Sequence, residues 1–306
     1  MQKKAAGAGE GNEKSVWFVG TASGILGSFM IYWWYYSENN KDMREVSMFT
    51  NQEILKIAVN QSALDINCRE EDFFKEENVV VRSEAGRFAR KYYKEPIACN
   101  LVSYGNNVVA SVKDEYKDIV EEYISKFQFF HCFETPNMHW LESRLKQYGQ
   151  SVCFMAEYFL PDVRRIEGLS CDYEIRILTQ KDFSDLYLPE WGNALCEDRK
   201  ELDVLGVGAY DGGQLVGLAG CSADCETMWQ IGVDVLPAYR KKGIAAALTS
   251  NLAMEVLKRD LVPFYCCAWS NIRSAKNAIK SGFSPAWVEM TAKPTELVEE
   301  MNKLRV

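Results

Sequence analysis

Residues 231–245, IGVDVLPAYRKKGIA, limit what this chain can fold into more than any other stretch. A β-branched run stops at Pro237, and a basic turn ending in Gly243 opens a helix. Apolar Ile244, Leu248, Leu252 and Val256 recur at helical spacing, which predicts a helix from Gly243 to about Arg259. Lys258 and Arg259 fall in its last turn, where cations offset the helix dipole. A strand that feeds a helix through such a turn leaves backbone N–H groups unpaired and converging on one point. The dipole and the side chains of Arg240, Lys241 and Lys242 add positive potential, so the turn is built to cradle a phosphate. Gly243 matters because a side chain there would hold the anion away from the backbone.

The order of the pieces says more. Arg240-Lys-Lys-Gly243-Ile-Ala245 fits the pattern Arg/Gln-x-x-Gly-x-Gly/Ala, and Asn271-Ile-Arg-Ser274 follows, leading to Ser281-Gly282-Phe283. Together they resemble the GNAT superfamily of N-acetyltransferases over roughly residues 172–293. The resemblance implies an α/β fold, with a mixed, mostly antiparallel sheet flanked by helices, and acetyl-CoA as acyl donor. It places the CoA pyrophosphate on Arg240, Lys241, Lys242, Gly243, Ile244 and Ala245. The pantetheine arm would lie along the main chain of Val233 and Val235, with the Asn271–Ser274 motif on its other side.

Direct acyl transfer also needs a deprotonated nucleophile and a proton for the leaving thiolate. Many members of the resembling family carry a tyrosine seven residues after the motif asparagine, but here that position is Ala278. Tyr265, Cys266, Cys267, Ser270 or water are the remaining donors. For the base, Glu226 and Asp224 sit just before the central strand and Asp234 lies on it. The expected catalytic set is Glu226, Asp234 and Tyr265. The leading reading is transfer of acetyl from acetyl-CoA to a primary amine: an amino acid or polyamine, a peptide or protein amine, or an antibiotic amine. A CoA-binding sensor or scaffold without catalysis is the alternative, and Ala278 is its best support. A third reading takes longer acyl groups.

The chain has 306 residues, enough for about two domains, and its 47% hydrophobic content fills real cores. A net charge of −8, without a long basic stripe, argues against a nucleic-acid partner. The 10 cysteines show neither a disulfide framework nor a zinc-ribbon spacing, and read as buried thiols of a reducing compartment. No metal is expected.

Residues 15–36 carry no charge and as a helix would run about 33 Å, enough to cross a hydrocarbon core. A polar tail over 1–14, a transmembrane helix over 15–36 and a cytoplasmic catalytic part follow as the expectation. Lysines before the span slightly favour the opposite orientation, but acyl-CoA chemistry and the free thiols outweigh them. A start at Met43 would instead leave the chain cytoplasmic. Residues 43–165 read as a smaller, separate α/β domain, in element order like a degenerate acetyltransferase half. Residues 162–172 read as a linker, and 172–306 as the acetyltransferase domain.

Overall fold

The computed structural model describes residues 49–303, apart from Lys94. The expected transmembrane helix and polar tail lie outside the described residues, among which no helix is long and apolar enough to cross a membrane.

Among the described residues, ten strands form one sheet. In chain order they are β1 (Val79–Arg82), β2 (Cys99–Ser103), β3 (Val109–Val112), β4 (Gln150–Pro161), β5 (Glu174–Thr179), β6 (Asp203–Asp211), β7 (Gln214–Ser222), β8 (Met228–Val235), β9 (Val262–Ala268) and β10 (Phe283–Pro294). The helices are α1 (Asn51–Ile66), α2 (Lys117–Lys126), α3 (Thr135–Leu145), α4 (Ile244–Leu257), α5 (Ile272–Lys280) and α6 (Thr295–Lys303). The strand order is β1-β3-β2-β10-β4-β9-β8-β7-β6-β5. Two pairs, β1 with β3 and β8 with β9, are parallel, and the rest are antiparallel.

This order corrects the expected division into two domains. β4, from the amino-terminal half, lies between β9 and β10 and pairs with both. β10 in turn pairs with β2. A boundary near 165–172 would strip both carboxy-terminal strands of main-chain partners, so the two stretches share one sheet. Nor is the expected linker loose. Leu169 donates its N–H to Ser250 Oγ on α4 at 3.0 Å, and its carbonyl accepts from Asn251 Nδ2 at 2.8 Å. Asp162 accepts from Asn51 Nδ2 at the start of α1 and holds Arg164 in a two-pronged pair; these bonds keep its carboxyl well below the usual carboxylate range.

Elsewhere local sequence signals account for the elements, as in the β6–β7 hairpin, which turns across Asp211-Gly-Gly213. Two differences are instructive. The aromatic run at residues 129–133, FFHCF, has strand propensity but forms a 3-10 turn in which only Cys132 and Phe133 are buried. Residues 182–202, whose composition would also suit α-helix, contain 3-10 turns at Pro189–Trp191 and Glu197–Leu202.

α4 and α5 cover one face of the sheet and touch through Asn277 Nδ2, which donates to Thr249 Oγ1 at 3.0 Å. On the other face, α1 packs over β4 and β9. The loop at Asn193–Leu195 lies on that same face, against β7 and β8. A Cβ at Gly220 would fall 2.1 Å from Ala194 O, and one at Gly232 would fall 1.8 Å from Asn193 O. Glycines in both strands therefore let the loop backbone rest directly on the sheet.

Candidate active site

β8 and β9 pair in parallel only from Met228↔Val262 to Ile231↔Tyr265. Beyond that point β8 continues against β7 alone and β9 against β4 alone, so a gap opens between them. Leu236 donates its N–H to Val216 O on β7. By the alternation of an antiparallel ladder, the N–H and C=O groups of Val233 and Val235 then face away from β7, into the gap. The Val235 carbonyl is already used there: Arg240 Nε donates to it at 2.9 Å. That bond fixes the Arg240 side chain at the mouth of the gap.

The cradle lies at the same end of β8. Lys241 (φ +66°) and Gly243 (φ +82°) are both left-handed, the backbone form that turns successive N–H groups toward one point. The first helical bond of α4 runs from Ala247 N–H to Gly243 O, and no side chain caps Gly243. The N–H groups of Ile244, Ala245 and Ala246 therefore precede the first intrahelical bond of α4. A Cβ on Gly243 would meet nothing within 4 Å, so the glycine is required by its backbone angle and by the space that an anion would fill. Lys242 Nζ donates to Tyr173 OH at 2.9 Å and lies 4.9 Å from the Tyr239 ring centre, while Lys241 is exposed.

A family model for GNAT acetyltransferases matches residues 104–286, more than half of the chain. The chain belongs to the GNAT acetyltransferase family. No protein with a curated description matches it. Among solved structures, it is similar to a protein described as a GNAT-family acetyltransferase from Novosphingobium aromaticivorans, at 20% identity and a TM-score of 0.36, covering 47% of this chain and 66% of that one, just under two thirds. A GCN5-related N-acetyltransferase-like protein from Streptococcus suis matches at 20% identity and a TM-score of 0.39, over 51% of this chain and 69% of that one. A GNAT-family acetyltransferase from Colwellia psychrerythraea matches at 13% identity and a TM-score of 0.38, over 81% and 98%.

Within this GNAT chain the expected donor-site residues come together. Val233 and Val235 edge the gap, and Arg240, Lys241, Lys242, Gly243, Ile244 and Ala245 form the turn above it. On the β9 side, Asn271 is the N-cap of α5, with its Oδ1 accepting from Ser274 N–H at 3.2 Å. Its carbonyl oxygen is thus spent on the cap. Ser274 sits in the first turn of α5, half-buried, its hydroxyl 2.7 Å from Tyr265 OH.

The expected bases fare differently. Asp234 accepts from Asn193 N–H at 2.8 Å, Asn193 Nδ2 at 2.6 Å and Ala194 N–H at 3.0 Å. Both its oxygens are occupied in pinning the 193–195 loop, so it is an anchor and not a base. Glu226 is exposed and precedes β8 at the end away from the gap; from there to Gly232 is on the order of 20 Å of extended chain. Asp224 is fully buried and paired with Arg199. Ala278 is completely buried in the core, so α5 offers no hydroxyl there. Burial pushes the Cys266 thiol up to about 12, which leaves no thiolate for an acyl-cysteine relay. Among the described residues no group of three or more His, Cys, Asp or Glu is placed to hold a metal ion.

Sequence reasoning missed the contact of the Asn193–Ala194 backbone with β8. Its signal was present in Gly220 and Gly232, isolated glycines inside strand patterns, which mark close backbone approach. A buried cluster on the α1 face, in which Arg90 meets Asp65, Phe264 and Glu289, carried no sequence signal, because its members come from four separate segments.

Proposed function

We propose that this protein moves the acetyl group of acetyl-CoA onto a primary amine by direct attack. The observation that carries the reading is the continuity of the gap edged by Val233 and Val235 with the phosphate-sized nest at the start of α4. A pantetheine arm laid along the β8 edge reaches the closed end of the gap, beside Ile231 and Tyr265, while its pyrophosphate rests on the N–H groups at residues 241–246. The amine nitrogen bonds to the thioester carbon, the C–S bond breaks, and the nitrogen gives up its proton to water. The acceptor would enter on the face held by the 193–195 loop. Trp191 and Trp287 are core residues, whereas Trp229 is half-buried and Trp269 exposed, so only the last two have surface to offer an acceptor. A tether through residues 15–36 to the cytoplasmic membrane face remains part of the proposal, and rests on the length and apolarity of that segment alone.

The test is thiol release from acetyl-CoA by the purified full chain over a panel of amino acids, polyamines, peptides and aminoglycosides, with products resolved by mass. Turnover on at least one amine is expected. Tight CoA binding with no thiol release across the panel would contradict transfer and favour the sensor reading, for which the buried Ala278 already speaks.

A further inference from the structure

On the α5 side of the gap, two hydroxyl side chains meet where Ala278 supplies none. Tyr265 is the last β9 residue paired with β8. Its side chain points to the α4–α5 face, and its hydroxyl shares the 2.7 Å hydrogen bond with Ser274 Oγ. Ser274 and Ala278 are four residues apart on α5 and so lie on one helix face. The Tyr265 phenol thus comes to rest one helical turn from the position that lacks a hydroxyl. Cys267, two residues on, points to the same side of β9 as Tyr265. By register, Cys267 and Val233 each lie two residues beyond the last β8–β9 pair, so they face each other across the start of the gap. Ser274 is hydrogen-bonded to the residue at which the β8–β9 pairing stops, so its hydroxyl stands at the closed end of the gap. Burial raises the Tyr265 phenol above its ordinary range despite the opposing hydrogen bonds from Ser274 and Asn277, which keeps it protonated at neutral pH.

We propose that Ser274 and Tyr265 form a two-hydroxyl relay that protonates the departing CoA thiolate, the proton being supplied from a strand in place of a helix. This rests on the acetyl-transfer reading. When the C–S bond breaks, the electron pair stays on sulfur. Ser274 Oγ gives its proton to the sulfur and takes one from Tyr265 OH, and the phenolate is reprotonated from water. The amine has lost one proton to water, so the sum is amine plus thioester to amide plus thiol.

The relay is tested in two ways on the full chain, with thermal unfolding as the control for folding. Tyr265→Phe and Ser274→Ala should each lower kcat on the order of a hundredfold, with KM for acetyl-CoA little changed, while Ser274→Thr retains most of the activity. The second measurement needs no acceptor: the thiol of bound CoA is titrated by its thiolate absorbance. In the wild-type complex the thiol should ionise at lower pH than free CoA, because the relay donates to the thiolate. Both variants should move that pKa back up, which a purely structural role would not do. Equal thiol pKa values in wild type and both variants, or unchanged kcat in well-folded variants, would overturn the relay. A thiol shift lost in both variants, with no turnover on any amine, would leave the hydroxyl pair at the CoA sulfur but overturn its role as a relay together with the transfer reading.

Discussion

Replacing Arg90 with alanine is expected to destabilise the protein by about 3–5 kcal/mol, because it leaves carboxylates buried without their counter-charge. The side chain is fully buried. Its Nε lies 3.2 Å from Asp65 Oδ2 on α1, and its Nη1 lies 3.5 Å from Glu289 Oε1 on β10 and donates to Tyr92 OH at 3.0 Å. The guanidinium also rests 4.9 Å from the Phe264 ring centre and 5.6 Å from that of Trp287. Glu289 accepts from Trp287 Nε1 at 2.8 Å and Tyr93 OH at 2.7 Å, so the cluster ties α1 and the 90–93 segment to β9 and β10.

The pH dependence has a definite sign. Burial raises the Asp65 carboxyl above its ordinary range even though Arg90 opposes it. A raised folded pKa means that its contribution is fully present below the unfolded pKa and is lost as pH rises through the folded one. Removing Arg90 removes the opposing charge, so the penalty should be smaller in mild acid than at neutral pH. Urea unfolding of Arg90→Ala at both pH values measures this. Arg90→Met combined with Asp65→Asn should recover part of the loss, since fewer unpaired charges stay buried. A loss under about 1 kcal/mol at neutral pH would mean that the carboxylates reach water, as surface pairs do.

Gly243→Asp carries the second large effect, this time on binding. The added side chain projects into the open space of the nest, where the fold has no atom to clash with it. Its left-handed backbone angle costs roughly 1–2 kcal/mol for a residue with a Cβ, less for Asp than for most. Stability should therefore fall only modestly. The carboxylate, however, would occupy the place proposed for the pyrophosphate and repel it. Losing even two charge-assisted hydrogen bonds, at about 1.5–3 kcal/mol each, weakens CoA binding on the order of a hundredfold or more. Calorimetric titration with CoA beside thermal unfolding without ligand separates the two effects. Unchanged affinity in a folded variant would remove the phosphates from this turn.

The strand, turn and helix around Gly243 were legible because they are local: the elements are contiguous, and Gly243 and Asn271 shape the backbone within a few residues of their own positions. The placement of β4 was not legible. Its apolar run shows a strand, but nothing in that run says that it slots between β9 and β10, more than a hundred residues away in the chain. The aromatic run at 129–133 has strand propensity, yet it falls in a short connection between α2 and α3, where the chain must turn. Asp234 read as a candidate base because a carboxylate on a central strand looks unpaired in sequence. Its three donors come from a loop forty residues earlier, and only the fold brings them together. Glu226 failed for a simpler reason: sequence proximity to the strand does not say which end of it faces the gap.

Amide hydrogen exchange of the full chain with and without CoA tests the placement of the donor most directly. Saturating CoA should slow exchange at Val233, Val235 and the amides of residues 241–246, with little change in α1. Unchanged exchange in those segments, with protection appearing elsewhere in the sheet, would contradict the site.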